Sequence, residues 1–424
     1  MRTMKNPTFT ILKAIAIVLV VMSHAGFPAG VANVIFQFHV PAFFLCAGFF
    51  FNPAYLSDER TFLKRRVKGL YLPFLKYALF FLIAHNLFFL TGIINDTAGN
   101  GGGLVASWYT WHNFCQRLWN IVFGMAGYDE FLAGSYWFFR ALFVGSVAYL
   151  LGCKLLRKLK PLKQNDVLIN AVLAVVAFAL AAWKIDENLK LQPLAPGGYR
   201  EIMAVFFMAC GFLYRRAYEL LRTKQAVWSI AAVVVSVVVV ALFPSIVPSS
   251  MAFAPTMAQH VALPLPAIGG FVVLHAASHL IARHTSYASR SLIYIGERTL
   301  LVFAFHLLAF KVVSAFKVVC YGLPWAMVGG HPVVLHEVGD GFCWLYTLAG
   351  VGLPLAAVYY FRVVRAAYRL TPQKCLRLAV CASLWLATMM WKGVSFVFCY
   401  VWNQIVGFFK GLRDIVSAAR PNDD

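Results

Sequence analysis

Ten apolar stretches, each close to the length of a membrane helix, leave this chain few ways to fold. They lie at about 9–25, 33–51, 70–91, 136–156, 167–185, 200–217, 226–243, 260–281, 292–316 and 341–363. A spanning helix needs about 20 mostly apolar residues, set by a hydrocarbon core about 30 Å thick. Inside hydrocarbon every backbone amide must be satisfied within the protein, so runs of this length read as helices. Composition agrees: 61% of the 424 residues are hydrophobic and 12% charged, against about 45–50% and about 25% in soluble domains. The expected fold is an all-α polytopic membrane protein with about ten transmembrane helices. Residues 1–365 form the membrane domain and 366–424 a cytoplasmic or interfacial tail. Within that tail, 378–402 carries Lys392 near its middle and many aromatics, and reads as an interfacial helix rather than an eleventh span.

The net charge of +21 is distributed by topology. Lys64, Arg65, Arg66 and Lys68 fill the second link. Lys154, Arg157, Lys158, Lys160 and Lys163 fill the fourth. Arg215, Arg216, Arg222 and Lys224 fill the sixth, and Arg283 and Arg290 the eighth. Arg362, Arg365, Arg369, Lys374 and Arg377 follow the last stretch. Positive charge concentrates on the cytoplasmic side, so the alternation puts both the N-terminus and the C-terminus in the cytoplasm. It also accounts for the basicity without nucleic acid, since no basic segment is interleaved with stacking aromatics outside the spans. Arg2, Lys5 and the run Ala14–Met22 look like a signal peptide, but the run reaches back to Phe9 and makes a full span. The nine cysteines are scattered with no CxxC, which excludes a disulfide framework or zinc site. His275 and His279 share a helix face but have no nearby acid, so no metal is expected.

Against this apolar background, ionisable groups inside the spans stand out. On insertion scales a charge at a helix centre costs about 2.5–3.5 kcal/mol, so each is a functional candidate. The first two stretches carry Lys13, His24 and His39. Eleven residues separate Lys13 from His24; at about 100° per residue that is about 20° past three turns, one face, about 16 Å apart. Taken singly, Lys13 reads as a snorkelling cation and His24 as a helix end; the shared face favours function. His39 lies at similar depth, followed by the helix-breaking Pro41. The ninth stretch adds His306 near that depth, with Glu297 and Arg298 at its cytoplasmic end, where they also suit a simple charge pair. Arg140 opens the fourth stretch, where it snorkels or pairs with Asp129 or Glu130. The outer link 92–135 holds Trp108, Trp111 and Trp119; Trp111, Phe114, Leu118, Ile121 and Val122 predict an amphipathic helix lying on the outer surface. No Gly-rich phosphate loop, GxSxG or HExxH is present. The basic link 64–68 suits a phosphate-rich cytoplasmic donor.

Five ordered segments carry a resemblance. Lys13-Ala-Ile-Ala…Ser23-His24 resembles the first-helix motif of the membrane acyltransferase 3 family, a basic residue, usually Arg, eleven positions before a histidine. Phe38-His39-Val-Pro41-Ala-Phe43-Phe44…Ala47-Gly48-Phe49 resembles its second-helix motif. Phe62-Leu-Lys64-Arg65-Arg66…Leu72-Pro73-Phe74 resembles the basic link that follows. Trp137-Phe138-Phe139-Arg140 and Ile295-Gly296-Glu297-Arg298…Phe305-His306 resemble later segments. Lys13 in place of Arg keeps the charge without the bidentate fork, as in a branch similar to fucose-4-O-acetylase. The resemblance implies transfer of an acyl group, usually acetyl, from cytoplasmic acyl-coenzyme A to a hydroxyl of a surface or secreted carbohydrate. The setting is the bacterial cytoplasmic (inner) membrane, and the acyl-coenzyme A is a substrate rather than a bound cofactor. It implies donor positioning by Lys13 and catalysis by His24. Beside these the residues suggest His39 and His306 in catalysis, Lys64, Arg65, Arg66 and Arg298 at the donor, and Arg140, Trp108 and Trp111 at the acceptor. The rival reading is a transporter or flippase of lipid-linked glycan, which would favour matched repeats that this chain lacks.

Overall fold

A computed structural model describes residues 6–98, 106–127, 130, 132–163, 165–191, 197–222, 226–253, 255–337 and 339–368. Asp129, Lys224 and the tail segment 378–402 lie outside these. Among the described residues the structure is helical, with no strand. α1 (Pro7–His24) starts where the Asn6 side chain accepts the Thr8 N–H at 3.0 Å and Pro7 presets the first φ. The second expected span is two helices, α2 (Ala29–Phe36) and α3 (Pro41–Phe49). The break at 37–40 falls where Pro41 lacks the N–H to continue the ladder. α4 (Glu59–Arg66), capped by Asp58, continues through a π-helical turn, Val67–Tyr71, into α5 (Leu72–Leu90). A capping box of Thr110 and Asn113 opens α6 (Trp111–Gly124).

The order continues with α7 (Trp137–Leu156), α8 (Asp166–Asp186), α9 (Tyr199–Arg222), α10 (Ala226–Ile246), α11 (Met257–Ala262) and α12 (Pro264–Ala282). α13 (Tyr287–Gly296), α14 (Thr299–Tyr321) and α15 (Phe342–Tyr368) complete it. Among the described residues eight helical segments are long and apolar enough to cross a membrane: Pro7–His24, Ala29–Phe49, Glu59–Leu90, Gly134–Leu156, Asp166–Asp186, Met257–Ala282, Thr299–Tyr321 and Phe342–Arg365. The two remaining expected spans are also helices. α9 carries Arg200, Glu201, Arg215, Arg216 and Glu219, which dilute its hydropathy, and the apolar part of α10, Ile230–Ile246, is short. Outward faces carry large apolar side chains such as Ile83, Val175 and Leu348, as hydrocarbon requires.

The chain divides into two compact units, Met1–Ser314 with Ala326–Leu355, and Ala315–Trp325 with Ala356–Asp424. In the second unit the Lys317 ammonium lies 5.8 Å from the Tyr321 ring centroid. In the first, α1 packs on α12 and α13, and α9 on α3, α7 and α8. α3 and α9 meet backbone to backbone: a Cβ on Gly48 would strike the Met208 carbonyl, and one on Gly211 the Leu45 carbonyl. Small residues permit such approach between membrane helices, where dispersion rather than hydrophobic exclusion holds the pair.

The course of α6 corrects an expectation. It does not lie flat on a surface. Trp108 meets Phe89, the Tyr109 backbone exchanges two hydrogen bonds with the Asn86 side chain, and Tyr71 Oη donates to Val122 O at 2.7 Å. From Asn86 back to Tyr71 is about 22 Å of helix, so α6 runs antiparallel alongside α5. An apolar stripe packs on a neighbouring helix as readily as on a bilayer surface, and periodicity alone does not separate the two.

Candidate functional site

Backbone carbonyls three or four residues earlier hold three histidines in the same tautomer. His24 Nδ1 lies 2.8 Å from Val20 O, His39 Nδ1 2.6 Å from Ile35 O, and His306 Nδ1 2.8 Å from Phe303 O. A carbonyl only accepts, so each Nδ1 carries the proton and each Nε2 is left as the basic nitrogen. The His24 and His306 ring centroids are 5.2 Å apart, and His24 is near enough to act electrostatically on His39. His24 is half-buried, while His39 and His306 are buried. His306 Nε2 is buried with no hydrogen-bond partner. Among the described residues no three His, Cys, Asp or Glu side chains are placed to hold a metal ion.

A cavity of about 380 Å³ leads towards this group. Lys13, Arg65, Arg66 and Tyr55 border it at one end. Ile17, Phe43, Ala47, Leu70, Phe138 and Leu142 line its apolar wall, and Val20, Val40 and Phe303 carry it to the histidines. The histidines do not line it; the residues whose carbonyls orient His24 and His306 do. At its basic end Arg65 Nη1 donates to Tyr55 Oη at 2.5 Å, and the Arg66 guanidinium lies 4.9 Å from the Phe62 ring centroid. These cations sit beside the π-helical turn, a feature often found at functional sites. The exposed Asp58 marks the same end, its carboxyl held below the usual range by hydrogen bonds from Thr61.

The other expected site residues fall in different places. Lys64 is exposed and outside the cavity wall. Arg298 stacks over Tyr294 at 3.7 Å, donates to Tyr294 O at 3.0 Å and lies 3.7 Å from Glu297, while the adjacent Thr299 lines the cavity. Trp108, just before α6, and Trp111, its first residue, are exposed. Arg140 does not snorkel: it is buried between α7 and α9, 4.0 Å from Glu201. Of its two expected partners, Asp129 lies outside the described residues and Glu130 is engaged elsewhere. Both Glu130 oxygens receive His85 Nδ1, at 2.7 and 2.9 Å, and Tyr109 Oη donates to Oε2 at 2.6 Å. His275 is a core histidine, bonded to Tyr214 Oη at 2.8 Å and flanked by Phe9 and Tyr218. Sequence reasoning missed Tyr55, His331 and Lys311. For Lys311 the signal was present, a cation five residues beyond His306 in the same apolar stretch.

A family model described as an acyltransferase domain matches residues 6–334. No curated protein and no solved structure matches the chain.

Proposed function

The chain belongs to the membrane acyltransferase 3 family, and from that premise we propose that it moves an acyl group, acetyl first among them, from cytoplasmic acyl-coenzyme A to a carbohydrate hydroxyl outside a bacterial inner membrane. The observation that carries this reading is the cavity: cations at one end, apolar walls, and basic imidazole nitrogens just beyond the other. Phosphates suit Arg65 and Arg66, with Lys64 and Arg298 beyond the mouth. A thin thioester arm suits a channel walled by Val, Phe and Leu, about 16 Å from Lys13 to His24 along α1. A path for whole sugars would need polar walls, which disfavours the flippase reading.

In the transfer, His24 Nε2 takes the proton of the acceptor hydroxyl as its oxygen attacks the thioester carbon. The C–O bond forms, the C–S bond breaks, and the proton passes on to the departing thiolate. The Val20 carbonyl holds His24 in the tautomer that this step needs. His39 and His306 flank it, and Arg140, Trp108 and Trp111 belong to the acceptor side. The test supplies purified protein with acetyl-coenzyme A and the surface polysaccharide of the source cell and follows thiol release. His24→Ala should lower the rate by about 10²–10⁴ and leave donor binding intact. Lys13→Ala should raise the donor KM more than the acceptor KM. A His24→Ala protein as fast as the parent refutes the assignment.

A further inference from the structure

Between α14 and α15, residues 326–335 cross the His24 end of the site as a tied strap. Lys311 Nζ donates to Gly330 O at 2.6 Å and Val328 O at 3.2 Å. Asn95 Nδ2 donates to Ala326 O at 2.9 Å, and the Val334 N–H donates to Tyr346 Oη at 3.3 Å. Val333 packs on Gly26, where a Cβ would come within 3.0 Å of Val333 Cγ2 and the φ of +79° is one that L side chains rarely adopt. Val328, Val333 and Val334 are buried, so the strap belongs to the core rather than to solvent.

These ties bracket His331. On one side Gly330 is fixed to Lys311, five residues and about 7.5 Å along α14 from His306. On the other, Val333 is fixed to Gly26, two residues past His24. The one titratable side chain between those anchors is therefore delivered close to the His24–His306 pair, near enough to act electrostatically on His306 and to be acted on by His24. His24, His306 and Lys311 face it from α1 and α14. Burial, with Lys311 and His24 beside it, pushes the His331 imidazole down to about 3, so it serves as a neutral hydrogen-bonding group. We propose that residues 326–335 form the acceptor wall of the site, with His331 binding the acceptor hydroxyl beside His24 and Lys311 as the positioning residue that latches the wall to α14. The proposal rests on the acyltransferase reading above.

Two arms test it. In the first, diethyl pyrocarbonate is applied to the full-length protein in detergent, and carbethoxylation of His24 is read by peptide mass. Lys311→Met should raise the His24 rate severalfold, and Lys311→Arg, which still donates to two carbonyls, should not. Equal rates in all three proteins overturn the latch. The second arm measures transfer from acetyl-coenzyme A to the source cell's purified surface polysaccharide. His331→Ala should raise the acceptor KM about tenfold, the worth of one hydrogen bond, with the donor KM unchanged. His331→Gln should recover most of the loss. A His331→Ala protein with an unchanged acceptor KM, or with both KM values raised alike, overturns the acceptor role. If the parent protein releases no thiol, the carbohydrate reading fails with it, and the reagent arm still decides the latch.

Discussion

His306 offers the sharpest test, because stability and activity should move in opposite directions when it is replaced by phenylalanine. The side chain is fully buried, and its Nε2 has no hydrogen-bond partner. An unsatisfied buried nitrogen costs about 1–3 kcal/mol, whereas the Nδ1–H bond to Phe303 O contributes about 0.5–1.5 kcal/mol. His306→Phe removes both and adds one ring atom, a growth whose packing cost takes back part of the gain. The aromatic neighbours suit it: Phe310 lies 5.7 Å and Phe303 6.2 Å from the His306 ring centroid. The net expectation is a gain of about 1 kcal/mol, a rise of about 1–2 °C in Tm for a chain of this size. Activity should fall about 10²-fold if Nε2 shares the proton with His24, the low end of the range for general acid–base groups. Thermal unfolding in detergent reads the first quantity, and thiol release from acetyl-coenzyme A the second. A variant that is both less stable and fully active would refute the reasoning at each step. The opposing signs are what a site held for function at a structural cost should show.

Three further outcomes follow from the packing. Ala47 lines the cavity, so Ala47→Trp should fill it and abolish acetyl-coenzyme A binding by calorimetry; binding equal to the parent's would mean that the donor takes another route. Gly48→Val drives a side chain into the Met208 carbonyl and should cost at least about 1–3 kcal/mol, read as a lower Tm; an unchanged Tm would show that the α3–α9 approach is slack. Arg140→Met removes one of the two cations that act on the buried Glu201 carboxylate and should cost up to about 3–5 kcal/mol, most of it recovered when Glu201→Leu is added; a double variant no more stable than the single one would show that the pair is not the stabilising unit.

Much of this molecule is legible in its sequence. Apolar runs of membrane length gave the helices, Pro41 the break in the second span, and helical phase the common face of Lys13 and His24. Those features are local: segment length, one residue's missing N–H, and a fixed rotation per residue decide them. The basic end of the cavity was half legible. Arg65 and Arg66 stood in the expected link, but that these two border the cavity and Lys64 does not was decided by how α4 packs beside it.

What tertiary structure decided was partnership. Periodicity tells which face a side chain occupies and not which neighbour covers that face. Arg140 lies 4.0 Å from Glu201, 61 positions later, while Glu130, one of the two acids near it in sequence, is held by His85 and Tyr109. α6 packed on α5 instead of on a surface. His306 came to 5.2 Å from His24 because α1 and the α13–α14 pair lie side by side, with Gly296 against Thr10. His331 sat in a stretch with no helical period to read, and only the ties from Lys311, Gly26 and Tyr346 place it. The sequence by itself determined which residues a membrane helix had to tolerate. Only the packing of distant helices decided which of them share a site, because contact across hundreds of residues depends on which faces fit together.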